Sequence, residues 1–184
     1  ILIYCAGGKR SLLGAKSLQE MGYEKVWSLT GGFNGWKESG LPFEIPSALD
    51  NSLRGRYDRH VRIPEVGERG QKIMIDSKVL LVGAGALSSP QALYLAAAGV
   101  GTIGVVDNDQ VDESNLQRQV LHTTASVGTP KVESAKATIQ DLNPHVQVQE
   151  YPFRLKRENV LETFEEYDLI IDGSDNFPTR YLIN

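Results

Sequence analysis

The stretch Lys78 to Asn115, KVLLVGAGALSSPQALYLAAAGVGTIGVVDNDQVDESN, constrains the fold more than any other part of the chain. Val79, Leu80, Leu81 and Val82 form an unbroken apolar run, the pattern of a strand covered on both faces. The run ends at Gly83-Ala84-Gly85, where the backbone can turn tightly with no side chain in the way. A helix is expected at once, because Gln91 to Ala98 are mostly good helix formers, Pro90 suits a first turn and Gly99 a stop. Thr102 to Val106 then reads as a second apolar strand, ending in Asp107. The result is a β-α-β unit with a glycine turn at its first switch and an acid at the tip of its second strand. That arrangement places phosphates on helix N-terminal amides and a ribose on the carboxylate.

The 184 residues suffice for one domain plus part of another. The chain opens on an apolar, strand-like run at Ile1 and stops at Asn184 in a helix start, so it reads as a fragment at both ends. With 41% hydrophobic and 23% charged residues, and no apolar run of about 18 residues, it has the composition of a soluble globular protein rather than a membrane one. A net charge of -4 argues against a general nucleic-acid binder. Its one cysteine, Cys5, excludes a disulfide framework or a cysteine-rich metal site within these residues, and the reducing cytoplasm is the expected compartment. His60, His122 and His145 show no ligand spacing.

Residues 1–42 carry a pattern of their own. ILIY reads as a short buried strand, and CAGGKRS as a loop opening a helix whose apolar face is Leu12, Leu13, Ala15, Leu18 and Met21. Val26 to Leu29 reads as a second strand, followed by Thr30-Gly31-Gly32 and a short helix with Phe33 and Trp36. Residues 43–51, with Pro46, read as a linker between domains. Ser52 to Gln71 is expected as two helical pieces broken near Pro64, with Arg54, Arg56, Arg59, Arg62 and Arg69 along them. A solvated basic face is the plain reading of that run. Beyond the central unit, Val111 to Pro130 is polar and irregular, Lys131 to Leu142 has helical periodicity, Val146 to Pro152 includes a period-two strand, and Arg157 to Phe164 suggests a short helix. Tyr167 to Ile171 reads as a third buried strand, ending in Asp172-Gly173-Ser174-Asp175-Asn176.

The glycine motif is incomplete, since Gly83 and Gly85 are followed by Ser88 where a third glycine would stand; Ser88 is small and can cap the helix. On the glycine turn alone, an NAD(P)-dependent oxidoreductase remains an alternative, as does a non-catalytic nucleotide-holding module. Asp109, Asn115, Arg118, Gln119 and Lys131 add donors, cations and an anion outside the sheet edge, and Asp175 follows another strand end. Hydride transfer needs little positive charge beyond the pyrophosphate, whereas a triphosphate losing pyrophosphate needs several cations and a carboxylate to hold Mg²⁺. ATP is the better match.

Residues from about Arg56 to Asn184 resemble the ubiquitin-activating superfamily, in the branch of the molybdopterin-synthase and thiamine-pathway adenylyltransferases (MoeB and ThiF). The matching pieces are RYDRHVRIPEVGERGQ, VLLVGAGALSSP, YLAAAGVGTIGVVDNDQVDESNLQRQVLH, VGTPKVESA and IIDGSDNFPTRYLIN. The resemblance implies a Rossmann-like parallel sheet over residues 52–184, and adenylylation of the C-terminal Gly-Gly of a ubiquitin-like sulfur-carrier protein. It further implies a homodimer in cytoplasmic cofactor or thiamine biosynthesis. Asp107 then resembles the ribose acid, Asn115, Arg118 and Lys131 the phosphate groups, and Asp175 the Mg²⁺ aspartate. Arg59 resembles an arginine that reaches the partner subunit's phosphates. Gly85, Ala86 and Ser88 occupy the family's G-G-L-G turn, with Ala86 and Ser88 as departures. The family's Zn²⁺ cysteines would lie beyond Asn184.

At the other end, a thiolate at Cys5 would face backbone amides, a helix N-terminus and the cations Lys9 and Arg10, all of which favour the charged form; an inert buried cysteine is the alternative. IYC-x-x-G-x-R-S, then G-Y-E-K-V-W-S-L-T-G-G-F-x-x-W and G-L-P, resemble the C-terminal part of a rhodanese-like α/β sulfurtransferase domain. The resemblance implies that Cys5 carries a persulfide and that Arg10 closes its loop. Proteins joining the two activities more familiarly carry the rhodanese second; here it comes first.

Overall fold

The computed structural model describes residues 1–43 and 49–184, and the chain divides into two compact units, Ile1–Pro46 and Ser47–Asn184. Most of the expected 43–51 linker lies outside the described residues.

In the first unit, β1 (Leu2–Ile3), α1 (Lys9–Glu20), β2 (Trp27–Ser28) and α2 (Gly32–Glu38) follow in order, and the two strands pair in parallel. Two expectations fail here. Leu2 and Tyr4 are exposed rather than buried, and so are Leu12 and Leu13 of α1 and Met21 just after it. Of the expected face the helix buries Ala15, with Ser11 one turn before it, because a narrow two-stranded sheet covers only a narrow stripe of it.

The second unit begins with α3 (Asn51–Arg56), α4 (Asp58–Val61) and α5 (Gly67–Asp76), three pieces where two were expected. Asp50 caps α3 by accepting from the Leu53 amide at 2.9 Å. The arginine run is mostly the solvated face: Arg54 pairs with Glu68 at 3.1 Å and Arg62 with Asp58 at 2.9 Å.

The sheet is built from β3 (Lys78–Val82), β4 (Thr102–Val106), β5 (Gln147–Tyr151) and β6 (Leu169–Asp172), all parallel and ordered β5-β4-β3-β6. Between them run α6 (Ser88–Ala98), α7 (Lys131–Leu142) and α8 (Val160–Phe164), and α9 (Phe177–Ile183) follows β6. Val79 and Leu81 face α6 and α7 among Ala92, Ala96, Ala135 and Ile139; Leu80 and Val82 face the other way, among Val106, Leu155 and Val160. Burial on both faces is why β3 carries no polar alternation. Gly99, at φ 86, ends α6, and its amide donates to the Leu95 and Ala96 carbonyls. β6 departs from expectation: as an edge strand of this sheet it leaves Leu169 54% exposed.

Register decides where chemistry can occur. Val82 pairs with Val106 and with Asp172, and Val106 with Tyr151, so all four strands end level and the chain leaves each at one edge. The order reverses at β3, with β4 on one side and β6 on the other, which opens a crevice at that edge. No described helix is long and apolar enough to cross a membrane.

Candidate functional site

A cleft of ≈ 440 Å³ lies at that edge. Its floor is the glycine turn. Gly83, at φ 97, has no room for a side chain, since a Cβ there would stand 3.1 Å from the Gly173 carbonyl oxygen. The Ala84 amide donates to Asp107 Oδ2 at 2.8 Å, and Asp107 Oδ1 accepts from the Asp109 amide at 2.8 Å. Asp107 is thereby tied to the glycine turn and to its own loop, with one lone pair of each oxygen left for a ligand. Beyond Ala84, the amides of Gly85, Ala86, Leu87 and Ser88 donate to no acceptor among the described residues. They lead into α6 as a row of free donors.

The helix side of Ser88 differs from its expected role. Ser88 makes no cap; it is 1% exposed and its Oγ has no hydrogen-bond partner. It packs where Gly173, opposite, has no side chain. The close approach that a third glycine on the helix would permit is provided from the β6 side instead.

Cations and acids enter from several loops. Arg118, Gln119 and Lys131 line the cleft with Asp107, Asp109 and Asp175. Lys131 is the first residue of α7 and only 6% exposed; its amide donates to the Asp109 carbonyl at 2.9 Å and its Nζ lies 3.1 Å from Asp109 Oδ2. Gln119 is 5% exposed and its Oε1 has no partner. Arg118 is exposed and donates to the Ser114 carbonyl at 3.2 Å.

Two expected residues stand apart. Asn115 does not line the cleft: its Oδ1 accepts from the Asp112 amide at 3.4 Å while Asp112 accepts from the Ser114 amide, a capping box on the 3₁₀ turn Glu113–Asn115. The Ser114 hydroxyl first, and then its amide, hold Asp112 below the usual carboxylate range. Arg59, on α4, is exposed and makes no ion pair among the described residues. No group of three or more His, Cys, Asp or Glu able to hold a metal occurs among the described residues.

In the first unit, Cys5 Sγ accepts from the amides of Gly8 at 3.1 Å and Ser11 at 3.4 Å, with the Ser11 hydroxyl 3.6 Å away. The Ser11 hydroxyl first, then the Ser11, Arg10 and Gly8 amides, lower the Cys5 pKa to about 6. The donors that lower it are neutral hydrogen-bonding groups, and the side chains of Lys9 and Arg10, expected to act by charge, are exposed. Gly32, at φ 60, lets the start of α2 pass under this loop, where a Cβ would overlap the Cys5 carbonyl oxygen. The Phe33 and Asn34 amides then hold the carbonyls of Cys5 and Ala6 at 2.8 and 2.9 Å.

The sequence model of the ThiF family matches residues 57–184, which include every residue of the cleft. The chain belongs to the ThiF family. The rhodanese-like domain model matches residues 1–39, the segment that holds Cys5. Among ThiF-family relatives, the sulfur carrier protein adenylyltransferase of Thermus thermophilus is 54% identical over 129 residues, covering 70% of this chain and 48% of that protein. The adenylyltransferase and sulfurtransferase UBA4 of Debaryomyces hansenii is 55% identical over 130 residues, covering 70% of this chain and 29% of that protein. This chain therefore spans about half or less of these relatives' length. Among solved structures, the E. coli tRNA N6-threonylcarbamoyladenosine dehydratase TcdA in complex with ATP matches with a TM-score of 0.69 and 26% identity, covering 74% of this chain and 56% of that one.

The ThiF-family cleft also contains Asn108, Ser174 and Asn176, which lie within the matching motifs without an expected role, and Arg154, which lies outside them. Arg154 follows the end of β5 by three residues, so the strand's period-two pattern, with the level strand ends, was the available signal. Asn176 lines the cleft and caps α9, accepting from the Thr179 amide at 3.0 Å. Neither Asp172 nor Asp175 is that cap; Asp172 accepts from the Ser174 amide and hydroxyl at 2.9 and 2.6 Å, which leaves Asp175 facing the cleft.

Proposed function

We propose that this protein binds ATP at the sheet edge and adenylylates the C-terminal glycine carboxylate of a ubiquitin-like sulfur-carrier protein ending in Gly-Gly. The carrying observation is the convergence, in one cleft, of a row of unpaired amides, Asp107, three cations (Arg118, Lys131, Arg154) and Asp175. Amides and cations suit a polyanion, Asp107 a ribose, and the TcdA complex with ATP is a structural relative in support.

A carboxylate oxygen of the carrier attacks the α-phosphorus, the bond to the bridging α–β oxygen breaks, and pyrophosphate leaves with that electron pair. No side chain acts as nucleophile. Lys131 and Arg118 align the phosphates and offset the charge that builds on the leaving group. Mg²⁺ fits this cleft, because it takes one or two carboxylates and completes its shell with phosphate oxygens and water; Asp175 would hold it, and it supplies further charge neutralisation. Arg59 on its exposed helix is free to serve the other protomer of a homodimer. Cys5, held as a thiolate above about pH 6, would carry the sulfur that the activated carrier receives.

Pyrophosphate exchange into ATP, dependent on a carrier ending in Gly-Gly, tests the reading. Wild-type exchange abolished in Lys131→Ala is the expected result. Equal exchange in the two proteins overturns it, and tight ATP binding without any exchange marks a nucleotide-holding module instead.

A further inference from the structure

His122 is 5% exposed, lies outside the cleft and belongs to none of the groups assigned above. Its Nε2 is 2.8 Å from the Ala84 carbonyl oxygen and its Nδ1 is 2.9 Å from Ser134 Oγ. A carbonyl only accepts, so the ring proton sits on Nε2, and Nδ1 accepts from the Ser134 hydroxyl. The charged groups that face the ring are Lys131, from α7, and Asp107, from the end of β4.

Both ends of Ala84 are therefore held: its N–H by Asp107 and its C=O by His122. No cis peptide occurs among the described residues, and across a trans peptide the C=O and the following N–H point in opposite directions. A carbonyl drawn inward to His122 turns the Gly85 N–H outward, and Gly85 lines the cleft with no protein acceptor on that amide. Lys131 and Ser134 lie one turn apart on α7, so the helix that delivers the lysine also anchors the ring.

We propose that His122 is a positioning residue for the nucleotide phosphates: its Nε2–H fixes the Ala84–Gly85 peptide so that the Gly85 amide donates into the cleft. The proposal rests on the reading of that cleft as a triphosphate site. Without the hydrogen bond the peptide can rotate, and the turn loses a donor aimed in advance at an anion.

Glutamine and asparagine separate this role from packing. The amide nitrogen of glutamine reaches the place of Nε2, whereas that of asparagine reaches only the place of Nδ1. His122→Gln is expected to keep the ATP KM in pyrophosphate exchange within about threefold of wild type, and His122→Asn to raise it about tenfold or more, the scale of one hydrogen bond to a charged group. KM values that move together, or not at all, overturn the proposal. A measurement on the wild-type protein covers the case in which both variants misfold: the Gly85 amide proton should shift downfield on adding a magnesium complex of a non-hydrolysable ATP analogue. Binding with Gly85 unmoved overturns this inference alone; no nucleotide binding at all overturns the proposed function with it.

Discussion

Ser88 on α6 and Gly173 at the end of β6 meet so closely that a Cβ added to Gly173 would overlap the Ser88 Oγ. The serine hydroxyl is buried there without a partner. Gly173→Ala should therefore cost about 1–3 kcal/mol, the range for forcing a methyl into a packed site. Adding Ser88→Gly should recover much of that loss, because the two changes are coupled through one contact. Urea unfolding of the two single variants and the double variant checks this; strictly additive losses would show that the contact is not what limits position 173.

Lys131 presents the opposite case, a residue whose removal should spare the fold and remove the activity. Its partner Asp109 is 62% exposed, so solvent screens the pair and its contribution to stability is about 0–1 kcal/mol. Lys131→Met keeps the buried stem without the charge. The melting free energy should stay within about 1 kcal/mol of wild type, while carrier-dependent pyrophosphate exchange falls about a hundredfold or more. A variant that retains half its exchange rate would remove Lys131 from the proposed machinery.

Both cases bear on what the sequence makes legible. β3 is readable because Val79 to Val82 are buried on both faces, and α6 because Gly99 stops it in a left-handed conformation that glycine alone adopts without strain. Asp107, Lys131 and Asp175 come to one edge because each follows a strand or opens a helix at that edge. Asn115 is the third residue of a capping box whose cap is Asp112, and the Asp112-to-Asn115 spacing is the local signal for that role. Arg154 and the fit of Ser88 against Gly173 depend on which strands become neighbours, information that no local window carries. The exposed apolar residues of α1 mark the same boundary, since periodicity reports what a helix could bury and not what lies opposite it.

The Cys5 loop yields a prediction in pH. Amide and hydroxyl donors stabilise the thiolate and lower the pKa from 9.0 to about 6, so the reactive form dominates above that point and is lost as pH falls through it. The rate of alkylation by iodoacetamide should rise with pH and reach half its maximum near pH 6. Ser11→Ala removes the largest contributor and should move the midpoint upward while leaving the limiting rate similar. A midpoint that stays put would assign the shift to the backbone amides alone.

His122 gives a second pH effect, in stability rather than reactivity. Burial is the main cause that holds it below its usual 6.5, with the charge of Lys131 acting in the same direction and the Ala84 carbonyl and Asp107 opposing. Between the folded value and 6.5 the unfolded chain binds more protons than the folded one, so stability rises with pH across that window. The loss on acidification begins as pH drops below 6.5 and ends once the folded ring is also protonated. His122→Gln cannot take part. Urea unfolding at about pH 7.5 and about pH 5.5 should show wild type losing more stability than the variant, by up to about 1.4 kcal/mol in all, the limit set by the one pH unit below 6.5 that this comparison spans. Parallel losses would mean that the ring takes up its proton at the same pH folded and unfolded, and at about pH 5.5 the Ser134 hydroxyl would then have to accept from Nδ1 rather than donate to it.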